Sequence, residues 1–392
     1  MKEFDKSANV LVTQAGLRNG FVITYSLGKM GIPVYCADTL KRSQTKYSRY
    51  CRQYSTYPSP HRDPDGYFDS INDLIKRHDI GLIFPAYDEV IFLSQNRSRL
   101  VNPKVLIAPP YENIMTVHNK TRLDKLCKQL NCNSPLTIEL NDDSDVEKAF
   151  SQLSFPMVLK PERGGGGWGV TFVSSPDQFM KFWHEFDTQK HQNRLFAQQY
   201  IKGPLYGYGV LCDKGKILAS NCYHTVRQNP IGRGTPSFRR GAVIEDIESQ
   251  AEKIFGYLEW TGVCQCDFLL NEADGKSYLV DMNPRFWGST AQALACGLNF
   301  PHLLYLLGTG QHSGAIARRT GVDVTSSWLW GDFFVMCERL FKDHGKLQTL
   351  REHFSGWRGA YFDDLRIDDP LPFLFYPIQK LLAVKSEDAG GF

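Results

Sequence analysis

Short apolar, β-rich runs alternate with amphipathic helical patterns through the first 110 residues, and this alternation constrains the fold more than any other feature. "NVLVTQ", "IPVYCAD", "IGLIFPAYDE" and "KVLIAPP" have the composition of strands, and "GFVITYSLGKMG" and "GYFDSINDLIKRHD" have helical periodicity. Parallel strands need a crossover connection and are buried on both faces, so the pattern predicts an α/β unit with a doubly wound parallel sheet. Asp38 closes the second strand, where a dinucleotide fold places a ribose-binding acid, yet the first turn, "TQAGLRNG", lacks G-x-G-x-x-G. A Rossmann-like scaffold whose strand ends line a substrate crevice accounts better for both facts.

Beyond residue 110 the pattern changes. A helix over "TRLDKLCKQL" follows Asn119 and Lys120, and "PMVLKPE" and "GVTFVSS" read as strands joined by a glycine loop. "DQFMKFWHEF" is helical, "RLFAQQYIKG" is a strand reaching a turn, and the polar, arginine-rich residues 225–240 precede the helix "EDIESQAEKIFGYLEW". The block closes on a hairpin, "GVCQCDFLL–NEADGKS–YLVDMN", as expected of an α+β unit with antiparallel sheet. From about 311 the chain is aromatic-rich and irregular, with "DDPLPFLFYP" expected to be extended by its prolines.

The hairpin carries the clearest chemistry. If Leu270 pairs with Tyr278, Phe268 faces Val280, Cys266 faces Met282, and one face is wholly apolar. The same register sets Asp267 opposite Asp281 and Gln265 opposite Asn283. Two carboxylates directly across a hairpin repel unless a cation lies between them, and hard oxygen ligands with room for phosphate and water suit Mg²⁺; a solvated polar face with incidental acids is the bland alternative. Arg285, just beyond, suits a phosphate oxygen. In "KPERGGGGWG" glycine N–H groups can approach phosphates closely while Lys160 supplies a point charge; the run is not a Walker A loop, and a linker is its bland alternative. "FAQQYIKG" can offer backbone donors and acceptors to an adenine edge or be plain sheet.

A net charge of +3 gives no support to a nucleic-acid or anionic-membrane partner. The ten cysteines include several in apolar runs (Cys36, Cys264, Cys266) and form no zinc spacing, so they read as reduced, buried thiols. "MKEFDKSANVLVTQ" has no apolar secretory core, and "LPFLFYPIQKLLAV" is short and broken by proline. The expectation is a cytoplasmic protein without a membrane span.

Taken in order, Lys120, "VLKP" with its glycine loop, "QQYIKG", "CDF" and "DMNPRFWGS" resemble the ATP-grasp superfamily over roughly residues 8–310. Within it they are similar to the carbamoyl-phosphate-synthase-like carboxylate–amine ligase group, whose members end in a Glu-x-Asn-Pro-Arg-Phe-Trp-Gly-Ser type of run; "PAYDE" also resembles a strand end of that group's N-terminal domain. The resemblance implies a Rossmann-like domain over 1–110, an ATP-grasp domain over 111–310 with lobes 111–196 and 197–310, and a C-terminal extension over 311–392. It implies ATP and Mg²⁺ (or Mn²⁺) as cofactors. Lys120, Lys160, Glu162, Gly164, Gly165, Gly166, Gly167 and Trp168 would then meet the nucleotide, the loop closing as a lid, and Gln198, Gln199, Tyr200 and Ile201 would form the adenine hinge. Asp267, Asp281 and Asn283 would hold metal, with Arg285 and Asn283 at the transferring phosphoryl group. Gln198 or Gln199 stands where the hinge often has a glutamate, Asp281 shortens the usual glutamate, and Leu205 leaves the ribose without a carboxylate.

The function so implied is ligation of a small-molecule carboxylate to an amine, of amino-acid or peptide type, through an acylphosphate with release of ADP and phosphate. Cations for the substrate carboxylate are expected in "HTVRQNPIGRGTPSFRR": His224, Arg227, Arg233, Arg239 and Arg240, with Gly288 and Ser289 completing that subsite. Each arginine could equally be a solvated basic residue. The alternatives are a carboxylase or carbamoyl-forming enzyme sharing the ATP site, or a non-catalytic ATP-binding protein. The C-terminal extension is expected to cover the substrate cleft or to mediate a homodimer.

Overall fold

The computed structural model describes residues 8–161, 169–186, 194–232, 234–311, 317–318, 321–342 and 345–384. The amino-terminal alternation becomes β1 (Asn9–Thr13), α1 (Arg18–Lys29), β2 (Val34–Asp38), β3 (Cys51–Thr56), α2 (Pro64–Arg77) and β4 (Ile80–Pro85), followed by α3 (Glu89–Gln95). The strands are parallel in the order β3-β2-β1-β4. Successive β1 residues serve opposite faces: Val10 and Val12 pack with Ile23 and Leu27 of α1, and Leu11 packs with Tyr67 and Ile71 of α2. Asp63 caps α2 by accepting the Gly66 N–H, with Pro64 in the first turn, where its missing N–H costs nothing. The strand expected over "KVLIAPP" is reduced to a tight turn, Pro103–Val105, and a single bridge from Leu106 to Ile83. Prolines at 103, 109 and 110 remove the N–H groups a ladder needs, while Val105 and Leu106 still bury.

Next come α4 (Tyr111–His118), α5 (Lys120–Gln129), β5 (Thr137–Leu140), α6 (Asp143–Gln152), β6 (Met157–Pro161), β7 (Thr171–Val173), α7 (Pro176–Glu185) and β8 (Leu195–Gln199). The four strands make a small antiparallel sheet, β5-β8-β6-β7, over a core that includes Met157, Leu159, Phe179 and Ala197. This sheet runs on to Gln199, past the expected lobe boundary at 196. Conversely α4 and α5 pack on the other lobe, where Ile114, Val117, Leu123 and Leu126 share a core with Cys264 and Met282.

The large sheet is built from β9 (Leu205–Asp213), β10 (Lys216–Asn229), β11 (Thr235–Ala242), β12 (Gly262–Leu270), β13 (Ser277–Asn283), β14 (Ala317–Arg318), β15 (Thr325–Ser327) and β16 (Tyr361–Phe362). Its order is β13-β12-β9-β10-β11-β15-β16, with β14 beside β10. The helices along this stretch are α8 (Glu245–Tyr257), α9 (Thr290–Ala295), α10 (Phe300–Gly308), α11 (Leu329–Lys342), α12 (Lys346–Trp357) and α13 (Leu371–Val384). Three sequence expectations are corrected here. Most of the arginine-rich segment 225–240, read above as cations for a substrate carboxylate or as solvated basic residues, lies in strands β10 and β11. The C-terminal region is largely helical and contributes three strands, β14, β15 and β16, to the large sheet, so it is not irregular. "LPFLFYP" is α-helical: Pro370 precedes α13 and Pro372 lies in its first turn, while Pro377 sits inside it.

Strand β9 had no strand signal because of its glycines. The sheet requires them: a Cβ on Gly207 would lie 2.2 Å from the Tyr223 ring, and one on Gly209 would lie 2.1 Å from Trp287. The parallel sheet and the large sheet share one core, in which Val12, Leu82 and Phe84 join Leu211, Tyr223, Val263 and Trp287. Among the described residues no helix is long and apolar enough to cross a membrane.

Candidate active site

A cavity of about 730 Å³ lies where the small sheet, the large sheet and the α1 end of the parallel sheet meet. The β12–β13 hairpin forms part of its wall. Gln265 pairs with Asn283, Cys266 with Met282 and Asp267 with Asp281, as the sequence pattern requires. Nearer the turn the register slips by one at a bulge after Asp267: Phe268 pairs with Leu279, not Val280, and Leu270 pairs with Ser277, not Tyr278. The bulge lets Leu279 join Phe268, Cys266 and Met282 in the core and turns Val280 to the cavity.

The polar face is a connected network. The Gln265 amide donates to Asp267 Oδ1 (2.6 Å) and accepts from Asn283 Nδ2 (2.8 Å). Asn283 Oδ1 accepts from Arg285 Nη2 at 3.0 Å. Burial, and then the facing Asp281, push the Asp267 carboxyl up to about 7 despite the Gln265 bond. No cation among the described residues sits between the two carboxylates within salt-bridge distance. Among the described residues no cluster of three or more His, Cys, Asp or Glu could hold a metal by itself. Two carboxylates and an amide oxygen nevertheless fit Mg²⁺, which commonly takes few protein ligands and fills its other positions with phosphate and water.

Arg285 is only 7 % exposed. Its Nε donates to Asp88 (2.7 Å), and its guanidinium lies 3.8 Å over the Tyr87 ring. Burial opposes its charge, but Asp88 and Tyr87 more than restore it. Both partners belong to "PAYDE" at the end of β4, so the parallel sheet fixes the arginine of the large sheet. The sequence alone assigns the residues of that motif no role; the signal in it is a carboxylate placed directly after a buried strand.

Lys160, the penultimate residue of β6, is almost completely buried, and burial together with Lys120 lowers its ammonium to about 7. A buried amine so placed has its charge restored by an anion. Lys120 opens α5, capped by Asn119, and lines the same cavity. The end of β8 and the residues after it lie along it too: the Gln199 N–H donates to Leu136 O (2.8 Å), Gln198 Nε2 donates to Thr137 Oγ1 (2.7 Å), and Tyr200 and Ile201 follow. Leu205 also lines the cavity, so the wall there carries no carboxylate of its own. Glu162, Gly164, Gly165, Gly166, Gly167 and Trp168 lie outside the described residues, as does Arg233.

The structure thus brings together Lys120, Lys160, the Gln198–Ile201 segment, Asp267, Asp281, Asn283, Arg285, Gly288 and Ser289 around one cavity. It does not bring Arg227 or Arg239 there. Arg227 makes two 2.7 Å bonds to Asp332, and the fully buried Arg239 bonds Asp363 at 2.6 Å. Both are neutralised by the C-terminal region.

Residues 119–300 match the family described as carbamoyl-phosphate synthase L chain, ATP binding domain. This segment is an ATP-grasp domain. D-alanine–D-alanine ligase B of Pseudomonas syringae pv. tomato is 25% identical over an alignment of 212 residues that covers 47% of this chain and 61% of that relative. The chain therefore spans less than two thirds of the length of this relative. Among solved structures, N5-carboxyaminoimidazole synthetase from Staphylococcus aureus complexed with ADP has a TM-score of 0.68 at 16% identity, covering 88% of each chain. The biotin carboxylase domain of Hydrogenobacter thermophilus 2-oxoglutarate carboxylase, in complex with MgADP and bicarbonate, has a TM-score of 0.63 at 16% identity, covering 78% of this chain and 70% of that one. At such identities the likeness is one of fold, and the cavity of this chain falls within the ATP-grasp domain and its flanks.

Proposed function

We propose that this ATP-grasp protein is an ATP- and Mg²⁺-dependent ligase that joins a carboxylate to an amine through an acylphosphate, releasing ADP and phosphate. The observation that carries the reading is the Asp267–Asp281 pair, with Asn283 and an anchored Arg285 beside it, facing one cavity with a buried Lys160. Lys160 and Lys120 would meet the phosphates, and the segment Gln198, Gln199, Tyr200 and Ile201 would hold the adenine. Asp267, Asp281 and Asn283 would hold Mg²⁺ (or Mn²⁺), which when bound offsets charge on the phosphates. Arg285, held by Asp88 and stacked on Tyr87, is already oriented for the transferring phosphoryl group, so little reorganisation accompanies its role.

A carboxylate is a poor electrophile. Phosphorylation by ATP breaks the bond to ADP and makes a good leaving group; amine attack on the acyl carbon then expels phosphate. On this reading residues 1–110 are a Rossmann-like domain whose β4 end positions Arg285, 111–310 are the ATP-grasp domain, and 311–392 are a C-terminal extension that completes the large sheet. A cytoplasmic setting accords with the use of ATP.

The test is a product assay across a panel of carboxylic acids. ADP and phosphate should form only when a suitable acid is present, and hydroxylamine should trap a hydroxamate. AMP and pyrophosphate as coupled products would defeat the acylphosphate route.

A further inference from the structure

The cavity extends beyond the phosphate-facing groups to the start of α1 and to α13. Arg18, the first residue of α1, lines it with a side chain only 9% exposed. Its guanidinium lies 4.2 Å over the Trp328 ring. Asp363 is its closest carboxylate, at 3.7 Å, but Asp363 already takes a 2.6 Å bond from Arg239. Nη1 of Arg18 has no hydrogen-bond partner among the described residues. A buried guanidinium left this way is costly unless something else satisfies it.

The surroundings repeat that demand. Helix α1 has no acidic residue in its first turn and no side-chain cap, so its positive end opens uncompensated, and Gly16, Leu17 and Asn19 line the same cavity. Lys380 of α13 lines it too. The helix is fixed there: Gln379 Nε2 donates to Gly16 O (2.9 Å), and Gln379 Oε1 accepts the Gln44 N–H (2.7 Å). Arg18, Arg239 and Lys380 face Asp363 and Asp364, three cations against two carboxylates, an excess of one positive charge when all are ionised. Two cavity-lining indoles, Trp287 and Trp328, have buried N–H groups without partners among the described residues. An indole N–H can only donate. A Cβ at Gly288 would sit 2.6 Å from Arg18 Nη2, so the glycine leaves room for the guanidinium.

We propose that Arg18 and Lys380 form a subsite for a second anionic group of the substrate, a carboxylate or a phosphate monoester, separate from the carboxylate that is activated. The acid joined by this ligase is then a diacid, and the C-terminal region takes part in choosing it. The inference rests on the ligase reading given above and deepens it.

The decisive experiment is calorimetric titration of the full chain with glutarate, 3-phosphoglycerate and the monoacid butyrate. Each is titrated with and without Mg²⁺ and a non-hydrolysable ATP analogue. At least one dianion should bind tenfold or more tightly than butyrate; glutarate alone points to a second carboxylate, and 3-phosphoglycerate alone points to a phosphate ester. Arg18→Gln and Lys380→Gln should each weaken that dianion about tenfold or more, as loss of a charge-assisted hydrogen bond does, with binding of the analogue unchanged. Lys380 is exposed, so its variant should keep the wild-type melting temperature even if Arg18→Gln lowers it. Dianions no better than butyrate, or dianion binding unchanged in Lys380→Gln, overturn the subsite. Failure of the analogue itself to bind wild-type protein instead defeats the nucleotide reading, and the titrations without nucleotide still decide the subsite.

Discussion

Two hairpins of the large sheet carry similar polar residues and use them differently. In β12–β13, Asp267 faces Asp281 across the cavity wall with no cation between them among the described residues, and the Asp267 carboxyl is pushed up to about 7. In β10–β11, Arg227 and Arg239 meet Asp332 and Asp363 from the C-terminal region, inside the protein. Burial opposes the charge of Asp332, yet His353 and Arg227 hold its carboxyl well below the usual range. The first arrangement is incomplete without a ligand and the second is complete without one. Unsatisfied charge marks where chemistry is expected; satisfied charge marks scaffold.

The sharpest way to break that contrast is Asp332→Ala. Asp332 also accepts from Ser237 Oγ (3.0 Å), Trp357 Nε1 (2.7 Å) and His353 Nδ1 (3.1 Å), so its loss strands Arg227 and three further donors. Removing one partner of a buried pair typically costs about 3–5 kcal/mol. Urea denaturation should show a loss of that order. A loss below about 1 kcal/mol would mean the pair is effectively solvated and the β10–β11 arginines are available for substrate.

Asp281→Asn is the opposite case. It removes a metal ligand in the reading proposed here and relieves the repulsion at Asp267. Turnover should fall by roughly 10²-fold or more, while the melting temperature stays level or rises. Wild-type turnover at ordinary Mg²⁺ would remove the metal assignment, and a large drop in stability would place this hairpin with the scaffold.

How legible each region was follows from the same physics. The parallel sheet and the β12–β13 register announce themselves through periodicity, because apolar alternation leaves one arrangement that buries Cys266, Phe268 and Met282 together. The bulge that puts Leu279 in the core in place of Val280 depends on packing from α4 and α8, which periodicity does not encode. Glycines at 207 and 209 hide β9, since the reason for them is a pair of rings, Tyr223 and Trp287, that come from elsewhere in the chain. Arg227 and Arg239 look like substrate ligands until their carboxylates arrive from more than 100 residues downstream. Arg18 gave no signal at all, because a lone arginine after a first strand becomes informative only when its surroundings leave it unpaired.

The smallest expected effect sharpens the comparison through pH. Asp267 has a folded-state value of about 7, above the roughly 4 of an unfolded aspartate. Below about pH 4 the group is protonated in both states and contributes nothing. As pH rises toward 7 the unfolded chain releases the proton first, so stability falls through this window, and above 7 the whole cost is present. Mg²⁺ needs the ionised pair, so it should stabilise the protein more at pH 8 than at pH 5.5, and its binding near pH 6–7 should release a proton. Melting curves with and without Mg²⁺ at the two pH values test this, with Asp267→Asn as the control in which the pH dependence of the Mg²⁺ effect largely disappears. An equal Mg²⁺ effect at both pH values in the wild type would place the metal elsewhere and return the Asp267–Asp281 pair to the class of satisfied scaffold charges.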